Sequence, residues 1–222
     1  MSSLTVSPGV YTTGMALACS RQEVTMSSLG FTAWSLLLSK FAASADVSFT
    51  NGSSDYAKCV GLYVDLQTFR INVGAPESNN DSLLWDLARE VQKRAASSMH
   101  IQGKGLTTPR RAEDGRPSGQ VNTMVNVRNA GVDSLELRRH GLELSMQCFQ
   151  DPWDYDVVLA VDVSQGNEVR CSIDYRSSAI SSTLAAQIAD GLAATLGALV
   201  QNDGLTRGGW EAQVQLSDCR SV

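Results

Sequence analysis

His100 and His140 are the only imidazoles in the 222 residues, and no two histidines are adjacent. Histidine is the commonest carrier of a proton at neutral pH, so these two are the first candidates for acid–base chemistry. His100 could act as a general base; the competing reading is a solvated ring at a helix C-terminus, where positive charge is favoured. His140, between Arg139 and Gly141, reads as an exposed strand or turn position. No G-x-S-x-G nucleophile signature lies near either. Cys59 has only Lys58 nearby to activate it, so a buried thiol competes with a reactive one. Asp65 is either a substrate-facing carboxylate or a buried polar group satisfied by backbone amides. Arg110, Arg111 and Arg116 could dock an acidic surface or a phosphate, although Glu113 and Asp114 dilute their charge. Trp153-Asp154-Tyr155 could line a pocket or pack in a core.

The elements that must position these residues follow from periodicity. Residues 1–22 carry no clear period and read as an extended lead-in or a tail. A helix is expected over 25–43, capped by Thr25, with Leu29, Ala33, Trp34, Leu36, Leu37 and Phe41 on its apolar face. Gly30 inside it costs about 1 kcal/mol relative to Ala, which close packing would offset. Residues 47–50 read as a short strand closed by a turn at Asn51-Gly52-Ser53-Ser54. In the next strand Leu62, Val64 and Leu66 alternate on one face, and Phe69, Ile71 and Val73 on the other. That switch predicts a bulge or twist near Gln67-Thr68. A second helix is expected over 82–99, capped by Asn80 or Asp81, with Leu83, Leu84, Leu87, Val91 and Ala95 as its stripe. Residues 103–119, rich in Gly, Pro, Arg and Thr, read as a mobile loop. Strands follow at 121–127, weakly at 135–137 and 142–149, then at 156–163 and 169–175, the last two as a hairpin. A helix over 182–201 with Leu184, Ile188, Leu192, Leu196 and Leu199 inward precedes an irregular tail, where Trp210, Val214 and Leu216 are available to pack back. The order implies an α/β (α+β) fold: a mixed sheet with helices mainly on one face.

Composition narrows the function classes. A net charge of −5 without a basic stripe gives no support for nucleic-acid binding. No apolar run approaches the roughly 18 residues needed to span a bilayer. The N-terminus lacks the basic start and apolar core of a signal peptide, so a cytoplasmic, reducing setting is expected. Cys19, Cys59, Cys148, Cys171 and Cys219 are odd in number, scattered and free of C-x-x-C pairs, which argues against a disulfide framework or zinc.

The segment Cys59-Val60-Gly61-Leu62-Tyr63-Val64-Asp65-Leu66-Gln67-Thr68-Phe69-Arg70-Ile71 resembles the V-G-x-F-V-N-T-x-P-x-R motif in the C-terminal half of nonribosomal peptide synthetase condensation domains. Glu23–Phe41, Thr123–Asn129, Asp156–Val161 and Ser172–Tyr175 resemble further family segments in the same order. The resemblance implies half of a chloramphenicol-acetyltransferase-like fold, with residues 1–22 as an extension, 23–218 as the half-domain and 219–222 as a tail. The family's H-H-x-x-x-D-G motif belongs to the other half and has no counterpart here. Its Asn-Thr appears as Asp65-Leu66, its Pro as Thr68, and its H-Q-D-x-P-F as His100 followed by Ile101-Gln102-Gly103-Lys104. The R-D-x-S-R-N-P segment has no counterpart in 109–119.

The resemblance implies a chain that is not catalytic alone. It places Asp65, Leu66, Asn122 and Met124 on a tunnel wall or interface that fronted the other half. It makes Arg110, Arg111 and Arg116 candidate contacts for a carrier protein, whose phosphopantetheine arm is the only cofactor implied. Expected partners are an adenylation domain or an N-terminal condensation half, a carrier protein, or a second copy, with no nucleic acid, membrane or metal. Three readings compete: a non-catalytic structural or interaction module, one half of a split condensation or acyltransferase domain, and a small-molecule-binding protein reusing the half-fold.

Overall fold

The computed structural model describes residues 2–6, 12–53, 65–74, 82–98, 121–130, 155–164 and 169–214. Strands β1 (Ser2–Val6), β2 (Asp46–Ser53), β3 (Asp65–Asn72), β4 (Thr123–Ala130), β5 (Val157–Ser164) and β6 (Val169–Tyr175) form one six-stranded sheet in the spatial order β1-β6-β5-β4-β2-β3. Strand β4 runs parallel to β2 and β5, and the remaining pairs are antiparallel. Helices α1 (Thr12–Arg21), α2 (Met26–Ala42), α3 (Leu84–Ser98), α4 (Ser182–Gln201) and α5 (Arg207–Gln213) bury their apolar residues in one core, against one face of that sheet. The expected one-sided layer is present.

Helix α2 sits at the centre. Thr25 caps it, its Oγ1 accepting from Ser28 N at 3.1 Å. The helix is buried almost all round, and its polar residues are accommodated because the Thr32 and Ser35 hydroxyls each donate to the carbonyl four residues back, at 2.7 Å. Phe31 of α2 meets Phe49 of β2 and Phe69 of β3 with ring centroids 5.6 and 5.4 Å away, locking the motif strand onto the helix layer. A Cβ on Gly30 would meet Val161 at an ordinary 3.8 Å, so contact with that neighbour does not require glycine.

Several expectations change. The described residues 2–6 and 12–22 are not an appendage: β1 pairs with β6, and Met15, Ala18 and Cys19 of α1 are buried in the core. The turn expected from Asn51 does not occur there, because β2 continues to Ser53. No bulge interrupts β3, whose register with β2 is continuous from Asp65 to Asn72. The parity switch has another cause: Phe69 and Ile71 enter the helix-covered core, whereas Leu66 packs on the opposite face. In α3, Trp85 and Ala88 are fully buried beside Leu84 and Val91, while Leu83 is exposed. The tail after α4 forms α5 and buries Trp210 and Val214.

Helix α4 has the expected bounds, with the Ser181 hydroxyl accepting from Leu184 N at 3.2 Å. By length and mean hydropathy, 1.4, it could cross a membrane, contrary to the sequence expectation; its burial among α1, α2 and the sheet makes it a core helix here. The loop over 103–119, the strands over 135–137 and 142–149, the caps Asn80 and Asp81, Leu216 and the 219–222 tail lie outside the described residues.

Candidate functional site on the helix-free face

Alternation along a strand sends successive side chains to opposite faces. Val125, Leu159 and Ile173 therefore enter the helix-covered core, while Met124 and Val158 point to the other face. There Met124 and Val158 form a second, smaller cluster with Tyr155, joined by the partly buried Leu66 and Val121. Among the described residues, no helix joins this cluster.

Glycine at position 52 makes the cluster possible. Strand β2 lies between β4 and β3, with Thr50 opposite Met124 and Gly52 opposite Leu66. A Cβ on Gly52 would stand 2.4 Å from Met124 Cε, 3.8 Å from Leu66 Cδ2 and 3.9 Å from Asn126 Cγ. The Met124 thioether thus lies over the bare backbone of β2, in the space a side chain would fill, and extends towards Leu66. The turn signal in the sequence is a close-approach glycine.

Of the four expected face residues, Leu66 and Met124 are brought together. Met124 is fully buried within the chain, not open to a partner as an uncovered face would leave it. Asn122 is exposed, and its backbone carbonyl accepts from Asp156 N at 2.8 Å and Val157 N at 3.3 Å, fixing the start of β4 against β5. Asp65 pairs through its backbone position with Ser53; its side chain is outside the described residues. So are Arg110, Arg111, Arg116, His100, His140, Cys59, Trp153 and Asp154.

Part of the charge on this face is paired locally. Asp162 of β5 sits across from Arg170 of β6, and Arg176 lies 3.7 Å from Asp156. At the far end Arg70 Nε donates to both Asp46 oxygens at 2.9 Å; that hydrogen bond holds the Asp46 carboxyl below its ordinary pKa. Among the described residues no group of three or more His, Cys, Asp or Glu is placed to hold a metal. Cys19 and Cys171 are buried in the helix-covered core, and burial pushes their thiols up to about 11 and about 12, the reverse of nucleophile activation. The cluster is apolar and its Met124, Val158 and Tyr155 are already buried, which is a packing arrangement.

No protein-family profile matches the chain. Among curated proteins it is 44% identical over 150 residues to the NRPS-like tryptophan epimerase fscC of Fusarium equiseti, covering 64% of this chain and 10% of that protein. It is 30% identical over 194 residues to the nonribosomal peptide synthetase ivoA of Emericella nidulans, covering 79% and 11%. The chain is a partial condensation-like domain of the nonribosomal peptide synthetase kind. It spans about a tenth of the length of these two relatives.

Solved structures agree on the fold of this half-domain. The condensation domain of the monacolin K polyketide synthase MokA superposes with a TM-score of 0.69 at 13% identity, covering 93% of this chain and 48% of that one. The starter condensation domain of rhizomide synthetase RzmA gives 0.63 at 15% identity, covering 98% and 47%. A four-domain nonribosomal peptide synthetase bound to AMP and glycine gives 0.73 at 16% identity, covering 93% and 17%. Coverage of just under half of two isolated condensation domains is the share expected of one half of a two-half fold, and the motif strand β3 marks it as the C-terminal one.

Reading the sequence missed Gly52 and Val158, which complete the second cluster with Met124. A signal existed. A strand whose apolar residues change parity without a break is a strand buried on both faces, and Leu66 followed by Phe69 shows it.

Proposed function

We propose that this half-domain is a non-catalytic structural or interaction module of a peptide synthetase assembly, packing against adjacent synthetase domains through the helix-free side of its sheet. The observation that carries this reading is the combination of a half-fold with a sequence in which no two histidines are adjacent. Joining two tethered substrates needs a group that accepts a proton at the reacting amine or hydroxyl. Neither described cysteine is placed or ionised to substitute for it. Cytoplasmic location, carrier-protein contact through Arg110, Arg111 and Arg116, and exposure to a carrier's phosphopantetheine arm belong to the same proposal.

A second reading is favoured by the 44% match to a tryptophan epimerase. In it the chain is the C-terminal half of an epimerase- or condensation-type domain and turns over only when a histidine-bearing N-terminal half completes the site. One experiment separates the two. Acylated donor and acceptor carrier proteins, and separately a carrier-bound L-tryptophanyl thioester, are incubated with the chain alone and with an added N-terminal half. The first reading expects neither peptide nor D-tryptophan by chiral mass spectrometry in any mixture. Product only with the added half selects the second reading. Turnover by the chain alone, lost in His100→Ala, overturns both.

A further inference from the structure

After α4 the chain turns back across the molecule, and its contacts there join elements distant in sequence. Leu84 N, at the start of α3, donates to Leu205 O at 2.9 Å, and Arg207 N donates to Ser82 O at 3.2 Å. The Arg207 guanidinium is buried; its Nη1 donates to Val73 O at 2.6 Å and also to Gly74 O, just beyond the end of β3, while its Nε reaches Glu211 at 2.9 Å. Trp210 Nε1 donates to Thr195 Oγ1 of α4 at 3.1 Å. Lys40 of α2 lies 5.2 Å from the Trp210 ring centroid and bonds the Val214 carbonyl. Asp203 pairs with Arg21 of α1 at 3.2 Å.

We propose that residues 202–214 are a strap: a conformational device, seated by Arg207 and Trp210, that ties the end of β3 and the start of α3 to the helix layer and opens as one unit. Helix α5 has seven residues, well short of the roughly 12–15 at which an isolated helix is even marginal in water. Its folded state therefore depends on its docking. The docking combines the directional bonds of one guanidinium and one indole with burial of Leu205, Trp210 and Val214 in the main core, so the segment docks or releases as a whole. Strands β5 and β6, each paired on both sides, have no such dependence. Because β3 carries Leu66 at its other end, the seating of the strap bears on the same strand that borders the helix-free cluster. This holds whichever functional reading is right.

Native-state hydrogen exchange on the full chain tests it. The amides of Leu84, Leu205, Arg207 and Val214 exchange through one common opening, at least tenfold faster than those of the β5–β6 ladder. Arg207→Lys, which keeps the charge but loses the fork that bonds two carbonyls and Glu211 together, accelerates those four amides about tenfold further and leaves the ladder unchanged. If the four amides exchange no faster than the ladder, or the substitution accelerates both equally, residues 202–214 are ordinary core and the strap does not exist. Should Arg207→Lys fail to fold by circular dichroism, the wild-type rates decide alone.

Discussion

Phe49 and Thr50 are neighbours on β2 and point to opposite sides of the sheet, and both are buried. Phe49 enters a core closed by helices from the beginning, middle and end of the chain. Thr50 and its ladder partner Met124 lie on the side where no described helix packs, and the only described cluster there is the small one of Met124, Tyr155 and Val158 with Leu66 and Val121. One face is a self-sufficient core. The other is a small local cluster, and the proposed function makes it the side that meets another domain.

Substitution sharpens the contrast. Phe49→Ala removes one ring of the Phe31–Phe49–Phe69 group and is expected to cost about 3–5 kcal/mol, read from denaturant midpoints. Met124→Ala, in a smaller cluster that can collapse further, is expected to cost about 2–3 kcal/mol. If Met124→Ala equals or exceeds Phe49→Ala, the two faces are equally developed cores and the comparison fails.

Gly52→Ala is expected to cost about 1–2 kcal/mol, because its Cβ displaces the Met124 methyl. In a Met124→Ala background most of that cost disappears, a coupling a double-mutant cycle measures directly. An unchanged cost would mean that position 52 needs glycine for its backbone and not for Met124.

The smallest effect is one of pH. Cys171 has its pKa raised in the folded state from an ordinary 9.0 to about 12 by burial, with the Asp162 charge adding to it. The folded state therefore holds the proton more tightly than the unfolded one. This contribution is complete below about pH 9 and is lost as pH rises from there towards about 12. Denaturation midpoints followed upward from about pH 9 should fall less steeply for Cys171→Ala than for the wild type. Equal slopes would show that the thiol ionises freely in the native protein.

Much of this architecture was legible because it is written in period. The apolar stripes of α2 and α4 and the apolar runs of β5 and β6 are regular, and their bounds fell within a residue or two of expectation. Legibility failed where local signals had two meanings. Gly52 reads as a turn residue, yet it serves the approach of a side chain from β4, a contact fixed only when the sheet assembles. The change of face at Leu66 reads as a bulge until the second cluster is known. Residues 12–21 have weak amphipathicity, so α1 is made by its place against α2, α4 and β6 and not by its own pattern. The seven-residue α5 depends on Arg207 and Trp210 finding partners in β3 and α4, which no local window contains. The site suffered most, since its expected charged members Arg110, Arg111 and Arg116 lie outside the described residues.

The most direct test asks whether the helix-free side of the sheet meets another domain. The chain is mixed in turn with a histidine-bearing N-terminal condensation half and with an adenylation domain, and followed by sedimentation velocity and hydrogen exchange. The account predicts a one-to-one complex with at least one of them, slower exchange at Gly52, Asn122 and Asn126, unchanged exchange along α2 and α4, and weaker association for Leu66→Asp. A chain that stays monomeric in every mixture, or a complex that protects the helix layer and leaves those three positions unaltered, contradicts it.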